Sequence, residues 1–537
     1  MIMALAGLTS AATAPDASRQ AIGYICGAEN TPGGAGPREI KREAGVGNSR
    51  MPIATSNPEA QAWFDYGLQL ADGFYHEDAK LAFAKAVAAD PQCAVCLWGE
   101  AWSRSDNLNI PAGKEEVEKA KALLDKAEKL PAGERDKALI AALKLRYAPP
   151  KGETADTAYA KAMDAIAVRN PDEPELAVLA AHAWMLPARR NDRSGMERAI
   201  QLLDGVLDRQ ADHAGAIHFY IHATEFAGRA AVAVPYAERL AKIAPMASHL
   251  VHMPAHTLFR VGRYHEAAQL NAEALGVEAR YRRAQNAPGP LGGALYYNHN
   301  FSFGLGGAMM AGDGALALKF ADHVPLAYPM SVPAEQRDFA VARSYVAYGR
   351  FDPARALALP EPARDKTAMR LMRHYARGEA AAARGDVAAV SEEAKLAAEL
   401  KAEGANAGQV QNLQTLVKLV LEGREAILSG DLARAVKAYS AAAEFQDTRM
   451  RDMMDPPPWW YPVRRSLAAA LLAQGRYAHA AAEARRSLAG WPQDGLALKV
   501  LAEAETKLGR TAEARAHMAE AREAYLGDLA KTPLALI

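Results

Sequence analysis

The feature that most constrains this chain is a helical step of 34 residues that carries histidines with it. His218 and His222 stand four apart in HFYIHATE, and His252 and His256 stand four apart in HLVHMPAH, one step further along. Positions i and i+4 share one face of a helix. A 34-residue period is that of a helix-turn-helix repeat, whose single unit cannot bury its own apolar face. Residues 214–247 and 248–281 are two consecutive repeats, phased by Ala233 with Pro245 and by Ala255 with Ala267. Such a chain has to stack, and the expected architecture is all-α.

The rest of the sequence agrees. Strand signals are almost absent, and alanine-rich helical periodicity runs from about residue 57 to the end. A first repeat places Trp63, Gly67, Ala79, Phe83, Ala86 and Pro91 where paired helices need an aromatic, small contacts and a terminating proline. A second starts near Ala94 and carries an insertion, SRSDNLNIPAGK. Helices are expected near 134–147, 156–169 and 173–186. After the histidine repeats comes a helix with Tyr296, Tyr297, His299 and Asn300, with a partner near Gly314. Pairs are expected at about 334–360 and 366–402. Three clearer repeats close the chain, phased by Gly423/Ala435/Tyr439, Ala468/Ala480/Pro492 and Ala502/Ala514. The segments SNPEAQAWFDYGL, DPQCAVCLWGEAW, IHFYIHATE, SHLVHMPAHTLFRVGRY, YYNHN, RHYARGEAAAARGD and PPPWWYPVRRSLAAALL span most of it.

On these segments the chain from about Gly45 onward resembles a family of bacterial tetratricopeptide-repeat (TPR) proteins of largely uncharacterised function. The resemblance implies an α-solenoid, a right-handed superhelix of antiparallel helix pairs, with a histidine-marked centre; it implies no reaction. One departure is SDNLN, from Ser105 to Asn109, where such proteins often carry a GPNIN segment. The expected organisation is a signal peptide or loose tail at 1–14, an extended arm at 15–56 rich in Gly, Pro, Asn and Ser, N-terminal repeats at 57–212, the histidine repeats at 213–330, and C-terminal repeats at 331–537.

Charge and cysteine usage narrow the function classes. The 63 basic and 63 acidic residues cancel, so nothing favours nucleic acid or an anionic membrane surface as partner. No apolar run approaches the roughly 18 residues of a membrane span. The three cysteines exclude a disulfide framework and a four-cysteine zinc site. Cys93 and Cys96, in CAVC, read as two buried thiols or one local disulfide, and less well as a redox pair. The apolar N-terminus MIMALAGLTSAATA ends in small residues without a basic n-region; it favours a periplasmic or secreted protein, with a cytoplasmic one as the alternative.

The candidate site follows from the phasing. His218, His222, His252 and His256 occupy first-helix positions that face the concave groove of a TPR stack. His249 lies near the same face, and His299 opens the next first helix. Neutral imidazoles from neighbouring helices can meet at a copper, iron or zinc ion, as one centre or two. Glu225, seven beyond His218, shares the face as a ligand or a catalytic general base, so a metal-dependent hydrolase or oxidase is one reading. A second is a non-enzymatic scaffold gripping a small molecule or peptide in the groove, the usual work of this architecture. A third is a hydrogen-bonded histidine ladder. Trp459, Trp460, Tyr461 and Arg464 are the expected wall of a substrate pocket across the groove, against a packing role for the aromatic-proline corner.

Overall fold

The computed structural model describes residues 38–537, except 106, 110, 149–151, 188–192, 288–296, 328–333, 404–405 and 451–456. The expected tail at 1–14, the arm before residue 38 and Tyr296 lie outside the described residues. The described chain alternates a first and a second helix. The pairs are Pro58–Asp72 with His76–Ala89, Ala94–Ser103 with Lys114–Ala127, Glu134–Leu145 with Glu153–Arg169, and Pro174–Met185 with Met196–Leu207. Next come Ala214–Phe226 with Val234–Ile243, Ser248–His252 and Pro254–Arg260 with Tyr264–Ala284, and Tyr297–Ala311 with Gly314–Ala327. The series ends with Ala334–Phe351 and Pro353–Ala358, Thr367–Ala383 with Val387–Glu399, Ala407–Leu428 with Leu432–Arg449, Arg464–Ala473 with Tyr477–Gly490, and Gly495–Lys507 with Thr511–Ala524. Each helix packs on the next, and many first helices also touch the first helix of the following pair. This is an all-α, TPR-like solenoid.

Small residues and turn chemistry explain why the pairs form. A Cβ on Gly67 would come within 2.8 Å of the Phe83 ring, so the first pair closes on a side chain of zero size. The turn between paired helices needs one residue in the left-handed region. Gly228 (φ +71°) and Gly262 (φ +86°), one period apart, supply it in the histidine repeats. Residues 38–57 contain no helix; they run along the first repeat and reach the fifth, where Met246 N–H donates to the Gly45 carbonyl at 2.8 Å. Cys93 and Cys96 are joined as a disulfide at the N-terminus of their helix. No described helix is long and apolar enough to cross a membrane.

The stack does not stay open. The helix Pro58–Asp72 touches the helix Ala214–Phe226, four pairs on. Tyr75 stacks on Tyr281 with ring centroids 4.2 Å apart, and its hydroxyl accepts from Ser248 N–H at 3.1 Å. Beyond the histidine repeats the chain closes again: Phe259 meets Trp491 at 5.8 Å, and Leu526 N–H donates to the Ala311 carbonyl at 2.8 Å. Two large apolar cores result among the described residues, one drawn from residues 40–281 and one from 255–537. The histidine repeats sit where the two meet. The expected open groove is therefore corrected at this point: the first-helix face that carries the histidines is covered by the first repeat.

Candidate metal centre

The six histidines named above are brought together and buried, none more than 5% exposed. They fall into two triads, His218 with His222 and His249, and His252 with His256 and His299; within each triad one nitrogen per ring lies within 4.8 Å of the others. Each triad is an i, i+4 pair from one first helix and a third ring from the next. In the second, Pro254 splits the helix into Ser248–His252 and Pro254–Arg260, because proline gives no N–H to the helix ladder. The chain stays α-helical at Met253 (φ −52°, ψ −38°), so the two rings still share a face.

Hydrogen bonds fix which nitrogen points inward in three of the rings, His218, His252 and His256. His218 Nδ1 lies 2.6 Å from the Asp72 carbonyl, which can only accept, so Nδ1 carries the hydrogen. His252 Nδ1 lies 2.6 Å from Asn271 Oδ1, whose amide is oriented by its own donation to the Ala267 carbonyl at 2.7 Å. His256 Nδ1 lies 2.8 Å from Glu225 Oε2. In a neutral imidazole the other nitrogen is then a lone pair. The inward nitrogens converge: the Nε2 lone pairs of His252 and His256 are 2.9 Å apart, His299 Nε2 is 3.5 Å from His256 Nε2, and His249 Nε2 is 3.2 Å from His218 Nε2. The Nε2 of His222 is buried and makes no hydrogen bond. Facing lone pairs repel unless a cation lies between them. Nitrogen ligands 2.0–2.1 Å from a tetrahedral ion sit about 3.3 Å apart, within the range seen here. A ring N–H held by a carbonyl, amide or carboxylate oxygen is the usual support of a metal-binding histidine.

A proton is the other cation that can sit between two imidazoles, and the site opposes it. Burial, reinforced by neighbouring imidazoles, pushes His218, His249, His252 and His299 well below the ordinary histidine range, and His222 down to about 3. Glu225 would be pushed up by its burial, but His256 and Arg260 outweigh that and hold it below the usual carboxylate range. Its Oε1 accepts from Arg260 Nε at 2.8 Å while Oε2 faces His256. Glu225 therefore stands behind a ring and orients it. Both oxygens of the residue expected as a ligand or catalytic base are thus engaged, one by His256 Nδ1 and one by Arg260.

Each triad carries a phenylalanine. Phe303 lies 4.6 Å from the His256 ring and 5.4 Å from both His252 and His299. Phe74 lies 4.5, 6.1 and 4.7 Å from His218, His222 and His249. Phe74 is in the left-handed region (φ +56°) and only 3% exposed. It occupies the turn position that Gly228 and Gly262 fill in their repeats, each five residues before the small alanine (Ala79, Ala233, Ala267). A bulky residue there is strained, and such strain concentrates at functional sites. The sequence signal was available: counted back from the small alanine, the first repeat reads FYHEDA where the sixth reads GRYHEA. Asn271, Arg260 and the Asp72 carbonyl had no comparable signature.

The other expected site residues lie elsewhere. Trp459 packs on Tyr375 at 4.8 Å, Trp460 N–H donates to the Tyr375 hydroxyl at 3.2 Å, and Tyr461 lies under the Arg465 guanidinium. Arg464 pairs with Asp447 and Glu483. Trp459, Trp460 and Tyr461 are buried in the second core, where they pack instead of walling a pocket beside the histidines.

The chain matches no family model and no curated protein. Among solved structures it is similar to a monomeric mutant of IFIT1 with m7Gppp-AAAA, at 14% identity over 80% of this chain and 90% of that one, TM-score 0.32. It is also similar to the Naa15/Naa10 complex bound to HypK-THB, at 13% identity over 89% and 90%, TM-score 0.22. A third is the P58(IPK) TPR domain, at 14% identity over 68% and 96%, TM-score 0.20.

Proposed function

We propose that this chain is a helical-repeat metalloprotein that holds two transition-metal ions side by side, one in each histidine triad. The observation that carries the reading is the convergence of buried imidazole nitrogens in two triads, with the Nδ1 of His218, His252 and His256 committed to oxygen acceptors so that their Nε2 lone pairs face inward. Three imidazoles per ion leave a coordination position open, which is the arrangement of a metal that acts on a bound small molecule rather than one that only braces a fold. A metal-dependent oxidase or hydrolase is the enzyme class that follows. The Cys93–Cys96 disulfide supports a periplasmic or secreted location, and the family resemblance supports a bacterial origin.

The test is elemental analysis of tag-free protein after reconstitution with copper, iron or zinc. About two ions per chain are expected for the wild type, and none held through dialysis by His222→Ala with His256→Ala. A wild type without stoichiometric metal overturns the reading. A second reading, a scaffold that binds a peptide or protein, draws on one observation. A cleft of about 1090 Å³ away from the histidines is lined by Lys366, Arg370, Arg373 and Arg377 together with Asp338 and Glu361. Its charges of both signs suit a polar partner segment, and that reading survives loss of the metal site.

A further inference from the structure

We propose that the two triads work as a single binuclear copper centre that binds dioxygen between its ions. The inference rests on the metal reading above and adds the metal, the pairing and the ligand.

The donor set selects the metal. Every converging atom is a neutral imidazole nitrogen, and the one nearby carboxylate, Glu225, is spent on His256 Nδ1 and Arg260. Hard ions such as magnesium and manganese favour oxygen donors, and non-haem iron sites of the oxygenase type include a carboxylate. Three neutral nitrogens add no negative charge, which suits a singly charged, three-coordinate copper(I). Copper also heads the affinity order for nitrogen sites.

The pairing comes from the period. Because the triads repeat one helix pair apart, they lie side by side. The His222 and His256 rings are 5.7 Å apart, and so are His249 and His252. Ligands of one ion are thus in ring contact with ligands of the other, the adjacency that a diatomic molecule shared by both ions requires.

Enclosure selects the ligand. The rings are buried, with Phe74 packed on one triad and Phe303 on the other. A zinc hydrolase must admit a substrate bond to its metal-bound water, and here apolar walls stand against the rings. Dioxygen is small and apolar and passes such walls through ordinary side-chain fluctuation. The redox balance closes without another reagent: each copper(I) gives up one electron to become copper(II), and dioxygen takes up the two electrons, with no proton transferred.

The test loads tag-free full-length protein with copper(I) under anaerobic conditions, counts copper per chain, then admits air-saturated buffer. Dioxygen uptake is read with an electrode, and the near-ultraviolet and visible charge-transfer absorption is followed. About two copper ions per chain and about one dioxygen per pair of ions are expected. His249→Gln and His299→Gln, one in each triad, are each expected to keep about one copper and to lose at least ten-fold in uptake; circular dichroism checks that each is folded. A protein holding two metal ions that takes up no dioxygen overturns this inference and leaves the metal reading intact. So does one holding a single ion, or a folded single-triad variant that takes up as much as the wild type. A protein that holds no metal overturns both.

Discussion

At the scale of single residues, the histidine rings are oriented by groups that stand behind them, outside the converging nitrogens. Asn271 is committed to His252 by an amide that a second hydrogen bond keeps from flipping. Asn271→Leu preserves bulk and removes the acceptor. Metal affinity is expected to fall about 10–100-fold, the usual cost of losing such a support, as read by competition with a chelator of known affinity. Phe74 makes a sharper case, because its cost lies in the backbone. In an ordinary turn, replacing a buried phenylalanine by glycine is worse than replacing it by alanine. At φ +56° the order reverses. Phe74→Gly is expected to be more stable than Phe74→Ala by about 1 kcal/mol, as measured by urea unfolding, and both are expected to release metal to a chelator faster than the wild type. Equal stabilities would remove the argument that the chain spends strain on this ring. The six histidines were legible in the sequence because the period repeats them. Phe74 was legible only as a break in a glycine position, and the Asp72 carbonyl not at all, since a backbone acceptor has no residue signature.

At the scale of elements, the decisive contact is between the first helix and the ninth. A Cβ on Gly215 would lie 2.3 Å from Asp72 Oδ2 and 2.7 Å from Asp72 Cγ. The two helices can approach only because that Cβ is missing, and their approach sets the Asp72 carbonyl against His218. Gly215→Ala is expected to cost about 1–3 kcal/mol by overpacking and to weaken the ion in the first triad while sparing the second. Urea unfolding and a metal titration resolved into two steps check both halves. Helix existence and pairing were readable throughout, since small residues, prolines and turn glycines mark them locally. The closure of one repeat onto another four pairs later was not, because it depends on the curvature summed over many interfaces. That closure is why the expected open groove is absent at the histidines. The proline-aromatic corner at Trp459 and Tyr461 misled for a related reason: large rings look alike in sequence whether they line a pocket or fill a core.

At the scale of the whole molecule, burying this many imidazoles ties stability to pH. His218, His222, His249, His252 and His299 all have lowered pKa values in the folded protein. The unfolded chain takes up protons near pH 6.5 that the folded chain refuses. In the metal-free protein these five histidines are therefore expected to impose no penalty above about pH 6.5 and to cost stability as pH falls below it. Each such histidine contributes about 1.4 kcal/mol per pH unit down to its folded pKa, which for His222 is about 3. Urea midpoints at pH 7, 6 and 5 are expected to drop steeply, and bound metal to delay the drop. A midpoint unchanged from pH 7 to 5 would show the rings to be solvated.

The division into two cores that meet at the histidines also sets a timetable. During synthesis the amino-terminal part of a chain folds first. Once Tyr281 has left the ribosome, every side chain of the first core exists, as do all three rings of the first triad. The second triad waits for His299, which belongs to the following repeat. On the proposed two-metal reading, a nascent chain would meet its metal supply with one seat ready and the other still being made, and would load its two ions in the order in which the polypeptide is read.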